Sequence, residues 1–105
     1  MTTEKFNKLI QDLDILARTT MNHKGPEYTN GNTDVLHNFK STAQKAGVDP
    51  LTVWYIFFDK QCSSVAAHVK TDNLTQAEPI ETRFADIINY CRLGLALFNE
   101  RKYGN

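Results

Sequence analysis

Three carboxylates, Asp59, Glu78 and Asp86, are the side chains of this chain best placed by type and spacing to do chemistry. Asp86 is the strongest pointer. On a helical wheel of about 100° per residue, one apolar stripe holds Ile80, Phe84, Ile87, Ile88, Cys91, Leu95 and Phe98. A second stripe, on the opposite side, holds Tyr90, Leu93 and Leu97. Asp86 falls inside this second stripe and Asn89 at its edge. A carboxylate in an apolar surface is costly unless it is paired, hydrogen-bonded or bound to metal. If the helices carrying Asp59 and Asp86 are antiparallel neighbours, the three acids can converge on one point. Such hard oxygen ligands suit Mg²⁺ or Mn²⁺, which could hold a polyphosphate and activate a water. Structural readings stand beside this one. Asp86 or Asp59 would pair with a lysine or arginine, and Glu78 would favour the positive N-terminus of its helix.

A second group of candidates lies upstream. Glu27 and Tyr28 sit in the stretch Asn22 to Asn32, which is rich in glycine, proline and asparagine. A loop tyrosine can stack on a base, and Asn38 can hydrogen-bond a base edge or a ribose. The plainer readings are a solvated loop acid and a polar residue beside an apolar face. His23, His37 and His68 lack metal-ligand spacing, and the isolated serines have no Ser/His/Asp setting. No phosphate-loop, dinucleotide-binding, zinc-protease or nucleophile-elbow motif is present.

The elements that must position these residues are helical. Phe6, Leu9, Ile10, Leu13, Leu16, Ala17 and Thr20 predict a first helix from about Thr3 to Met21, capped by Thr2 or Thr3. Asn22 to Asn32 is expected to be a long loop. A second helix is expected from about Thr33 to Ala46, capped by Asn32 or Thr33 and closed by Gly47. Asp49-Pro50 opens a third, running to about Lys70, with Trp54, Phe57, Phe58, Gln61, Val65 and Val69 inward. After a polar connection, Pro79 opens a fourth helix, to about Lys102. The expected fold is one all-α domain over residues 1–105, a four-helix bundle or close variant. The two apolar sides of the fourth helix further imply a dimer or higher homo-oligomer, with that helix at or near the interface.

Acidic and basic residues balance at twelve each, and no basic run appears. This argues against DNA, RNA or an anionic membrane as partner. No segment is apolar for long enough to cross a bilayer, and the N-terminus is no signal peptide. Cys62 and Cys91 are expected as reduced, partly buried thiols of a cytoplasmic protein, with a bridge between them left open.

The order Glu27-Tyr28, Asn38-Phe39, Asp59-Lys60 and Glu-Pro-Ile…Arg…Asp-x-x-Asn-Tyr (Glu78 through Tyr90) resembles the nucleotide modification associated domain of phage and bacterial proteins. That domain looks related to the all-α, MazG-like nucleotide pyrophosphohydrolases. The resemblance implies a nucleotide ligand, Mg²⁺, assembly into oligomers and a phage origin in a host cytoplasm. By position it assigns metal binding to Asp59, Glu78 and Asp86. It places Lys60 against phosphate, and Asn89 and Tyr90 beside the nucleotide. Glu81 or a metal-bound water would serve as the base of a pyrophosphohydrolase. Thr82 stands where another acid is expected, and Thr29 replaces a glycine of the loop motif. Fewer carboxylates favour binding over hydrolysis. The alternatives are a non-catalytic module that sequesters a nucleotide or nucleotide second messenger, and a ligand-free helical interaction protein.

Overall fold

A computed structural model describes residues 1–29, 33–70 and 79–104, apart from the side chains of residues 23–29. The described residues form four α-helices and no strand. These are α1 (Thr3–Thr29), α2 (His37–Ala46), α3 (Pro50–Lys70) and α4 (Ile80–Tyr103).

Several helix ends follow from local chemistry. Thr2 Oγ1 accepts the Lys5 N–H at 3.1 Å, the side-chain cap of α1. Gly47 takes the left-handed conformation, φ 71°, that closes α2. Asp49 Oδ1 accepts the Leu51 N–H at 2.8 Å, with Pro50 in the first turn of α3.

Two ends differ from expectation. α2 begins at His37 rather than Thr33, because Asp34 Oδ1 takes the Leu36 N–H at 2.9 Å and holds a turn there. α1 continues past Met21 through Gly25 and Pro26 to Thr29, where a loop was expected. Proline inside a helix loses one hydrogen bond and crowds the preceding turn, at about 3 kcal/mol, but it does not forbid the helix.

α4 is the spine, packing against both α3 and α1, while α2 lies across α3 and α1. Leu36, Phe39, Ala43, Val53, Leu93 and Leu97 form the buried core. Full burial of one such side chain is worth about 1.5–3 kcal/mol. The Leu93/Leu97 stripe of α4 is therefore used up in the core of the chain itself. It is the other stripe, with Phe84, Leu95 and Phe98, that remains exposed. Of the residues expected inward on α3, Phe57 and Val69 are exposed instead.

The rotation of α3 is fixed where it crosses α4. Trp54 lies against Gly94, and a Cβ at that glycine would collide with the indole ring. The Trp54 N–H donates to the Tyr90 carbonyl at 2.7 Å. Trp54 also stacks on Phe58, and Phe98 meets it edge-on. At the far end of α4, Lys40 donates to Asp34 at 2.6 Å and pairs with Glu100 at 2.8 Å. Arg101 pairs with Asp49 at 2.8 Å. Both cysteines are free, Cys62 partly buried and Cys91 exposed, so the expected half-burial holds for Cys62 alone.

Candidate functional site

Asp86 is buried, 6% exposed, as its place in an apolar stripe demands, and it is engaged by other groups of the protein. One turn along α4 lies Tyr90, half-buried. Burial, and after it the Asp86 charge, push the Tyr90 phenol above its ordinary range. Asp86 and Tyr90, four residues apart, thus share one face of α4.

Tyr90 opens onto a cavity of about 300 Å³ between α2, α3 and α4, lined by Val35, Asn38, Phe39, Thr42 and Phe57. That volume is at the lower end of small-molecule sites. The Tyr90 and Phe57 rings lie nearly parallel, 9° apart with centroids separated by 6.5 Å. Phe39 meets both rings edge-on, at 6.4 Å from Phe57 and 6.5 Å from Tyr90. Its walls are therefore aromatic and aliphatic. Asn38, Thr42 and the Tyr90 hydroxyl supply the polar groups, which can fix the orientation of a flat ligand.

Of the residues expected at a site, Asn38 and Tyr90 come together here, with Asp86 acting on Tyr90. Asn89 does not face the cavity. It is buried, its amide donates to the Ala17 carbonyl at 2.9 Å, and its oxygen accepts from Arg92 at 3.1 Å. Its work is to bind α1 to α4.

Asp59 and Lys60 are exposed on α3. Trp54 faces α4, and Asp59, five residues on, lies about 140° round the helix from it. Glu81 is exposed at the rim of a different groove, between α1 and α4. Glu78 lies outside the described residues, as do the side chains of Glu27 and Tyr28. Among the described residues no three His, Cys, Asp or Glu side chains gather into a set able to hold a metal ion.

Phe57, Phe39, Thr42 and Val35 line the cavity although their spacing marks them as core. Phe57 is 41% exposed, which is how it reaches both the core and the opening. No helix among the described residues is long and apolar enough to cross a membrane. Comparison with protein-family models, with curated proteins and with solved structures finds no match.

Proposed function

We propose that this domain binds a nucleotide, its base held in the cavity between α2, α3 and α4. The observation that carries the reading is the convergence of Tyr90, Phe57 and Asn38 on one concave space. Aromatic faces stack on any base, at about 1–3 kcal/mol per base. Asn38 brings an amide to the same space, the side-chain type that recognises a base edge. The resemblance to nucleotide modification associated domains points to the same ligand class.

Binding without turnover is the form of this reading that the residues favour. Asp59 and Glu81 are exposed, and among the described residues the buried carboxylate is Asp86, one turn from Tyr90 on α4. Mg²⁺ enters as the counter-ion of the nucleotide's phosphates. A domain of this kind would sequester a nucleotide or nucleotide second messenger in the cytoplasm of a phage-infected host.

The test is a thermal-denaturation panel of mono-, di- and triphosphates and cyclic nucleotides, with and without Mg²⁺, with product analysis alongside. Saturating ligand at about 100 times Kd adds about 2.7 kcal/mol, a rise of roughly 11–20 °C in Tm for a domain of this size. A rise with one class of nucleotide, without product, is expected. Product formation would instead favour the hydrolase.

A further inference from the structure

A polar level adjoins the aromatic cavity, and helix register places it there. α3 and α4 meet at Trp54 with Gly94 and at Phe57 with Tyr90, so they run antiparallel. Each step up α3 is matched by an equal step down α4. Four residues on from Phe57 and four back from Tyr90, Gln61 therefore comes opposite Asp86. Both stay within about 40° of the faces that carry Phe57 and Tyr90. α2 and α3 meet at Phe39 and Phe57, and the same relation brings Val35, which lines the cavity, to the level of Gln61. The aromatic rings are thus followed, about 6 Å along the helices, by a level whose polar side chains are Gln61 and Asp86.

Gln61 is partly buried. Its Oε1 is shut off from solvent and accepts no hydrogen bond among the described residues. Buried acceptors in folded proteins are nearly always met, so this oxygen asks for a donor from outside the chain. Asp86, engaged by other groups of the protein, adds carboxyl oxygens at the same level. Arg83 follows on the same face of α4, about 10 Å along the axis from Tyr90. The order outward from the cavity is aromatic rings, acceptors, then a guanidinium. That is the order of base, sugar and phosphate in a nucleotide. We propose that Gln61 reads the sugar: with the base against Phe57 and Tyr90, its Oε1 accepts the hydroxyl proton of a ribose. The 2′-hydroxyl sits on the carbon next to the one that bears the base, so it is the hydroxyl nearest the base level. The site therefore takes ribonucleotides in preference to 2′-deoxynucleotides. This rests on the nucleotide reading above and adds the sugar to it. Side-chain oxygens receive ribose hydroxyls in the same way in dinucleotide sites. A site built to bond a hydroxyl discriminates against the analogue that lacks it.

The test is calorimetric titration of the full chain, in Mg²⁺, with ATP, GTP, CTP and UTP, each beside its 2′-deoxy counterpart. For the base that binds best, the ribonucleotide should bind about five- to tenfold tighter, the worth of one hydrogen bond. Gln61→Leu keeps much of the side chain's bulk and removes the acceptor. It should lower ribonucleotide affinity to the level of the deoxynucleotide and leave deoxynucleotide affinity as it was, a coupling that a merely structural residue would not show. Without ligand, the variant should melt no lower than wild type, because the oxygen it loses bonds nothing in the described chain. Equal affinity for the two sugars in the wild type overturns the proposal and leaves the nucleotide reading standing. So does a Gln61→Leu protein that loses both ligands alike, or one that keeps the preference. Binding of none of the eight overturns it as well, and the thermal panel then decides the nucleotide reading on its own.

Discussion

The indole N–H of Trp54 donates to the backbone carbonyl of Tyr90 across the α3–α4 crossing, at 2.7 Å. One side chain thereby sets both the rotation of α3 and the position of the residue that opens the cavity. The approach is possible because residue 94 has no side chain. Gly94→Ala should push the indole out of register and cost about 1–3 kcal/mol, the usual penalty of overpacking. Urea unfolding checks this, and an unchanged midpoint would show that the crossing is not tight.

Asn89 is expected to matter for stability rather than for ligand. Asn89→Ala removes the bond to the Ala17 carbonyl and should lower stability by about 1–3 kcal/mol. Asn89→Asp should do worse at neutral pH, since it turns a carboxylate toward a carbonyl oxygen. Denaturant midpoints at constant m-value measure both. Ligand affinity, measured well below the midpoint, should stay within a few fold of wild type.

Tyr90 gives the fold an alkaline limit. Its folded pKa is raised, first by burial and then by Asp86. Below about pH 10 the phenol is protonated in both the folded and the unfolded chain, and the stabilisation is fully present. As pH rises further the unfolded chain loses its proton first, so stability falls and is lost as pH passes through the folded value. Phenolate absorbance should show one tyrosine ionising late, and Tyr90→Phe should remove that step. Asp86→Asn should move it earlier, with little change in fold, because shape and most hydrogen bonding are kept. If Asp86 also helps to place a cation on the phosphates, this variant loses the Mg²⁺ dependence of binding.

Much of this architecture can be read from local chemistry. Thr2, Gly47 and Asp49-Pro50 act through bonds within a few residues, and their helix ends appear where those bonds place them. The burial of Asp86 follows from periodicity alone. Other features depend on the whole. Spacing identifies two apolar stripes on α4, but only the packing of α2 and α3 decides that Leu93 and Leu97 are the covered pair. Whether Asp59 can face Asp86 depends on the rotation of α3, which a distant glycine sets. Phe57 has the spacing of a core residue, and its second role at the cavity appears only once Tyr90 and Phe39 are packed beside it.

The most direct test of the central claim is calorimetric titration of nucleotides, in Mg²⁺, into wild type and Asn38→Ala. Trp54, the single tryptophan, supplies a parallel fluorescence signal from beside the cavity. The account predicts saturable binding of one nucleotide per chain to the wild type. In Asn38→Ala the affinity should fall about five- to tenfold, the loss of one hydrogen bond of about 1 kcal/mol. Absence of binding by any nucleotide, or equal affinity in the two proteins, would contradict it.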